Sequence, residues 1–250
     1  MLPVDNYEGA ILMEYSAKTN IGRVKENNED SFLTLIKKDV SIFAVADGMG
    51  GHDFGEEASL IATTFIKESC KDEVCKKDIK KFILDTFQKI NKKINKIGVE
   101  KKALLGMGTT LTLAVIVDNR LYVGHVGDSR LYIANKDIKQ ITKDHSYVEE
   151  LIDKGMISRS EAKNHPKKHI ITRALGTIEQ IKVDIIEYSI MSNDVIIVCS
   201  DGLTNLVDDY EIRDIIFKNK YLEDANKELI DLANNRGGYD NMTIVTIKYI

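Results

Sequence analysis

The chain has 250 residues, 43% of them hydrophobic and 30% charged, which supplies a sizeable core under a solvated surface and excludes a disordered composition. Its 35 Lys and Arg against 39 Asp and Glu leave a formal charge of -4, which argues against a nucleic-acid partner bound by phosphate neutralisation. No apolar run approaches the ~20 residues that span a bilayer and no basic segment with an apolar core opens the chain, so a cytoplasmic protein without a membrane span is expected.

Met1 to Leu12 precede the first patterned segment and are expected to form a mobile N-terminal extension, with one domain over 13–250. Only Pro3 and Pro166 interrupt the chain, and no Pro-rich linker or repeat divides it. Ser41 to Ala46 is a short apolar run closed by Asp47-Gly48, the pattern of a buried strand. Helical spacing governs Glu56 to Ser69 and Lys77 to Ile97, the second with Ile79, Phe82, Ile83, Phe87, Ile90, Ile94 and Ile97 in one stripe. The lysines between Lys71 and Lys102 are interleaved with acids, as on the wet face of a helix.

Thr110 to Val117 and Leu121 to Val126 flank Asp118-Asn119-Arg120, a hairpin pattern that Arg130 to Ala134 extends. A helix is predicted at Tyr147 to Lys154, and Ser158 with Glu161 has the form of a capping box opening a second one. Val195 to Cys199 and Met242 to Tyr249 are predicted strands, with helices at Asp209 to Phe217 and Glu223 to Asn234 between them. Strands and helices come in blocks, which points to an α+β domain with antiparallel sheets. Cys70, Cys75 and Cys199 form no C-x-x-C pair, so neither a disulfide framework nor a thiolate zinc site is indicated, and Cys199 belongs to a core strand. His165 and His169 lack further ligands at helical spacing and are read as surface histidines.

The aspartates fall at strand ends: Asp47 and Asp201 each follow an apolar strand, Asp240 precedes one, and Asp128 lies between two. Asp47-Gly48 and Asp201-Gly202 lead into helix-like sequence where a hairpin would need an alternating strand. If those ends converge, like charges in a partly dry site must either take up protons or be neutralised by cations, and hard divalent ions suit such oxygen ligands.

Asn27-Asn28-Glu29-Asp30-Ser31, Val45-Ala46-Asp47-Gly48-Met49-Gly50-Gly51-His52, Gly108-Thr109-Thr110, Val126-Gly127-Asp128-Ser129-Arg130, Ile171-Thr172-Arg173-Ala174-Leu175-Gly176, Ser200-Asp201-Gly202 and Asp240-Asn241-Met242-Thr243 occur in that order. This series resembles the motifs of the metal-dependent protein phosphatases of the 2C type, bacterial branch, and covers nearly the whole chain from about Ala17. The resemblance implies a four-layer α-β-β-α sandwich, two central antiparallel sheets flanked by helices, with a helical flap at about 143–176. It implies a monomeric serine/threonine phosphatase acting on phosphorylated proteins and opposing a eukaryotic-like Ser/Thr kinase.

It also implies Mn²⁺ or Mg²⁺ as cofactor. Asp47 would bridge two ions, the Gly48 carbonyl would add a ligand, Asp201 and Asp240 would hold the first ion, Glu29 and Asp30 the second, and Asp128 with Asp201 a weaker third. Asn241 would orient Asp240. Lys25 stands where relatives have a phosphate-gripping arginine, with Arg23 able to compensate if the segment were an extended strand. Replacing Lys25 by Arg is expected to lower KM and leave ion binding unchanged. Met49 takes the place of a histidine discussed as general acid in eukaryotic members, which leaves water or another residue, with His52 a candidate, to protonate the leaving group. Within the flap segment, Asp144-His145-Ser146 and Arg173 are expected to face substrate. Two other readings share the motifs: a phosphoprotein-binding domain without turnover, and a hydrolase of small phosphoesters.

Overall fold

The computed structural model describes residues 13–50, 54–70, 78–103 and 106–250. The extension 1–12, Cys75 and His52 lie outside the described residues. In chain order the strands are β1 Met13–Asn20, β2 Asp30–Ile36, β3 Ser41–Gly50, β4 Met107–Thr109, β5 Leu111–Val117, β6 Arg120–Val126, β7 Arg130–Ala134, β8 Ile138–Gln140, β9 Asp184–Ser189, β10 Val195–Cys199 and β11 Met242–Tyr249. The helices are α1 Phe54–Ser69, α2 Ile79–Glu100, α3 Tyr147–Asp153, α4 Arg159–Lys163, α5 Asp201–Thr204, α6 Asp209–Lys218 and α7 Leu222–Asn235.

Two antiparallel sheets result, one ordered β1-β11-β10-β7-β8 and the other β2-β3-β5-β6-β9, with β4 paired to the end of β3. Alternation along the central strands builds three apolar layers. Phe43, Val45, Ala114, Ile116, Leu131, Ile133, Ile196, Val198, Val245 and Ile247 meet between the sheets. Ile42, Ala44, Leu111, Leu113 and Val115 point the other way, onto Ile66 of α1 and Ile83, Phe87, Ile90 and Ile94 of α2. Tyr132, Val195, Ile197, Cys199 and Ile244 likewise meet Ile212 of α6 and Leu229 of α7. This is the four-layer sandwich. Cys199 is fully buried, and burial pushes its thiol up to about 12, so it is core and not a nucleophile.

Local signals act where expected. The Asp78 carboxylate accepts from the Lys81 amide and starts α2, and the Ser158–Glu161 capping box starts α4. The β5–β6 hairpin closes at Val117 opposite Arg120, with Asp118 at φ 51 in the turn. Several helix and strand ends shift by one to three residues, and β3 is extended where a stop was expected: it runs past Asp47-Gly48 to Gly50, because β4 supplies main-chain partners to Gly48, Met49 and Gly50.

Phe43 is fully buried in the layer between the sheets, so Phe43→Ala should cost about 3–5 kcal/mol of stability. Urea unfolding followed by circular dichroism checks it, and a loss under about 1 kcal/mol would mean that this layer is not packed as described.

Candidate metal centre

The strand ends deliver their carboxylates to one end of the sandwich. Asp47 of β3 lies directly opposite Asp30 of β2 in the ladder, so the two side chains share a face. Ser200, which ends β10, joins the sheets there: its hydroxyl donates to Asp30 Oδ2 at 2.7 Å and accepts from the Thr243 amide at 2.9 Å. Asp201 follows Ser200 in the first turn of α5, where a carboxylate is favoured by the helix dipole, and Asn205 donates to its Oδ2 at 2.9 Å. Asp240 precedes β11 and accepts from the Asn241 amide at 2.8 Å.

Thr110 and Asn241 set the frame. The Asp47 amide donates to Thr110 Oγ1 at 2.9 Å, and the Thr110 amide donates to the Asp47 carbonyl at 2.8 Å. Asn241 Oδ1 accepts from the Glu29 amide at 2.8 Å, while its Nδ2 donates to the carbonyls of Ile21 and Asn27. The Asn241 side chain therefore shapes the loop of Glu29, and it is the Asn241 backbone that touches Asp240. A Cβ on Gly55 would come within 2.3 Å of Glu29 Oε1, and one on Gly48 within 2.1 Å of the Gly55 carbonyl. Glu29 and Gly48 thus crowd the start of α1 at a place where only glycine fits.

The electrostatics are those of gathered like charges. Burial, then the charges of Asp30, Asp201, Asp128 and Asp240, hold the Asp47 pKa well above the usual carboxylate range. Burial and Asp201 do the same to Asp128. Burial raises Asp30 to about 7 against the opposing bonds from Thr243 and Ser200. Burial and Asp240 raise Asp201, which shares a side-chain contact with Asp47. Asp30, Asp47 and Asp201 keep some solvent contact at the residue level, but their carboxyl groups are densely surrounded by protein, and it is the carboxyl surroundings that set the shift.

Asp30 Oδ1 and Asp128 Oδ1 are buried without a hydrogen-bond partner. Among the described residues no three acidic, cysteine or histidine side chains close around a single point, so the group is an open basin and not a finished cage. Orphaned carboxylate oxygens beside mutually repelling neighbours fit hard divalent cations, and nothing in the donor set suits a softer metal.

The remaining site candidates divide. Lys25 joins the basin: its ammonium lies 2.7 Å from Asp240 Oδ1, and against the downward pull of burial the bond to Asp240 and the charges of Glu29 and Asp47 raise its pKa. That contact puts Lys25 directly on a candidate ion ligand, a neighbour that the expected independence of ion binding from this residue did not take into account. Arg23 stays outside. Residues 21–29 are loop and not strand, the Arg23 amide donates to the Gly238 carbonyl, and its guanidinium donates to Asn235, which removes the basis for its compensating role.

His145 and Arg173, expected to face substrate, have protein partners. His145 is 7% exposed with both ring nitrogens in protein contacts, and Arg173 pairs with Asp184 at 2.8 Å, so both are engaged by protein at the flap's base. His165 accepts from the Lys167 amide. His169 is exposed on the flap, yet near enough to Asp201 to act on its carboxylate. Nothing in the local spacing of His169 signals that neighbour, which the fold of the flap brings about.

A model of the family described as Protein phosphatase 2C matches residues 20–234. The chain belongs to this family. It is 36% identical over 241 residues to the serine/threonine phosphatase stp of Listeria innocua, covering 94% of this chain and 96% of that protein. The structure of the S. agalactiae serine/threonine phosphatase superposes with a TM-score of 0.90 at 34% identity, over 96% of this chain and 100% of that one. The catalytic domain of the serine/threonine protein phosphatase PstP, solved in complex with two manganese ions, superposes at 0.83 with 33% identity, over 94% and 97%. These protein phosphatases share the sandwich at whose end the acidic basin lies.

Because Asp30 titrates at about 7, it is partly protonated at neutral pH and must ionise to hold a cation. Mn²⁺ binding to EDTA-treated protein at pH 7 should therefore release protons, fewer above about pH 8, and affinity should weaken below about pH 6. Calorimetric titration in two buffers of different ionisation enthalpy measures the release; equal heats in both would show that the carboxylates are already ionised.

Proposed function

We propose that this chain hydrolyses phosphoserine and phosphothreonine on proteins, with divalent Mn²⁺ or Mg²⁺ held in the acidic basin. When bound, the ions supply an acidified water and offset charge on the phosphoryl oxygens. Asp47 would serve two ions, Asp201 and Asp240 would hold one and Glu29 and Asp30 the other, and the Gly48 carbonyl, beside Glu29, would add a ligand. Asp128, joined electrostatically to Asp201, suits a third and weaker position. The observation that carries this reading is the pair of buried, unpartnered oxygens of Asp30 and Asp128 beside carboxylates whose charges oppose one another.

Lys25 supplies the positive charge for the phosphate. Its ammonium borders Asp240, Glu29 and Asp47, at the edge of the basin where a phosphoryl oxygen would approach. As a point charge it grips phosphate without the planar fork of an arginine. Protein chemistry that makes phosphoserine and phosphothreonine requires a Ser/Thr kinase, so such a kinase and its substrates are the partners, and a cytoplasmic monomer suits that role. Among the described residues no helix is long and apolar enough to cross a membrane.

Phosphate release from a phosphothreonine peptide should require Mn²⁺ or Mg²⁺, stop with EDTA, and fall about 100-fold or more in Asp201→Asn. Turnover that survives EDTA would overturn the metal reading, and cleavage of p-nitrophenyl phosphate with none of the phosphopeptide would make the enzyme a small-phosphoester hydrolase. Lys25→Arg should lower KM for the peptide roughly twofold to tenfold, within the ~1.4 kcal/mol that a factor of ten represents, and shift Mn²⁺ affinity through Asp240. An unchanged or higher KM would remove Lys25 from phosphate binding.

A further inference from the structure

The loop between β6 and β7 carries Asp128, and two pins hold it. On the Asp47 side, Thr110 Oγ1 contacts Ser129 Oγ at 2.8 Å while also accepting from the Asp47 amide. On the flap side, Gly127 and His145 bond reciprocally: the His145 amide donates to the Gly127 carbonyl at 2.7 Å, and the Gly127 amide donates to His145 Nδ1 at 3.0 Å. Gly127 has φ +117, and a Cβ there would meet Thr110 Cβ at 2.5 Å, so the loop cannot supply a side chain of its own at this point.

His145 is also where the two ends of the flap meet. Its carbonyl accepts from the Thr172 amide at 2.8 Å, Ser146 bridges Ile171, and the Tyr147 amide donates to the Ile170 carbonyl at 2.8 Å. The ring stacks at 4.8 Å on His125, whose Nε2 lies 3.1 Å from the Lys143 carbonyl. Two donors face the ring, the Gly127 amide at Nδ1 and Arg173 Nη1 at Nε2, and a neutral imidazole accepts at only one of them; Arg173 has Asp184 as a second acceptor. A backbone N–H can only donate, so Nδ1 of His145 must be the acceptor and the neutral ring carries its hydrogen on Nε2. That hydrogen points to Asp184 Oδ2 at 3.2 Å. Arg173 Nη1, 2.7 Å from the same nitrogen, cannot donate to it, and its bond goes to Asp184 Oδ1 at 2.8 Å.

We propose that His145 is a positioning residue: through Nδ1 on the Gly127 amide it sets the Asp128 loop according to where the two ends of the flap are held. The inference rests on the reading of Asp128 as an ion ligand. It deepens that reading by making the flap's base a determinant of how the basin holds ions, with no contact between His145 and substrate.

Two near-isosteric substitutions separate the ring's two ends. His145→Asn keeps an acceptor at the place of Nδ1 and loses the reach to Asp184; His145→Gln reaches Asp184 and leaves the Gly127 amide without an acceptor. With Mn²⁺ and a phosphothreonine peptide, kcat of the Gln variant should fall at least about tenfold below that of the Asn variant, and its half-saturating Mn²⁺ concentration should rise by a similar factor, the scale of an outer partner of a metal ligand. Mn²⁺ affinity by calorimetry, without substrate, should follow the same order. A purely structural role would lower the melting temperature without separating the two variants in this way.

Equal kcat and Mn²⁺ affinity in both variants, or Asn worse than Gln, would overturn the proposal. An inactive or metal-independent wild type would instead overturn the function it rests on. If the variants do not fold, long-range proton–nitrogen spectra of the wild type decide: the Nε2–H tautomer with a hydrogen-bonded Gly127 amide supports the arrangement, and the Nδ1–H tautomer refutes it.

Discussion

Mutual repulsion among buried carboxylates is the constraint around which the fold is arranged. Asp30 and Asp47 face each other across a ladder, Asp201 contacts Asp47, and Asp128 feels Asp201. Each would be more stable alone in water, since burial without a counter-charge disfavours the ionised form. The chain accepts this at the ends of strands whose positions are fixed by three apolar layers. A rigid sandwich is suited to hold charges that would otherwise part, because its central strands cannot yield without opening the core.

The groups that hold the carboxylates are mostly neutral. Ser200 donates to Asp30, Asn205 to Asp201, and the Asn241 amide to Asp240, while Thr110 fixes the Asp47 backbone. Such donors orient an acid without cancelling its charge, so the basin keeps its attraction for a divalent ion. Lys25 borders it at Asp240, while Arg130 acts on Asp128 and His169 on Asp201, and together they offset only part of the charge. The same economy governs the flap, whose base is tied to the Asp128 loop by a neutral histidine and backbone amides.

Charged pairs do a different task away from the basin. Arg130 makes three contacts with the Asp144 carboxylate and one with the Tyr132 hydroxyl. This anchors the residue before His145 to strand β7, so the flap begins from a fixed point on one sheet. Arg173 with Asp184 fixes the other end against β9, on the second sheet. The flap is thus rooted on both halves of the sandwich, next to the place where their strand ends meet.

Residue patterns alone marked the central strands, the longer helices and the family motifs. Buried strands such as Val195–Cys199 and Met242–Tyr249 have unbroken apolar runs, and α2 has a stripe at helical spacing. Besides the three-residue β4, the strands these patterns did not disclose are β1, β2, β8 and β9, the four outer strands of the two sheets. An edge strand is half-exposed and carries polar residues on both faces, so its pattern is too weak to stand out; partners across the sheet define it. The acids of the basin were legible because Asp47, Asp128, Asp201 and Asp240 each lie in a separate motif and Glu29 and Asp30 share another. Only tertiary structure decided that Arg23 turns away to Asn235, that Lys25 meets Asp240, that His145 and Arg173 are engaged inside the flap's base, and that His169 lies near Asp201. Those outcomes depend on contacts between residues far apart in the chain, and local spacing carries no record of which distant group will arrive.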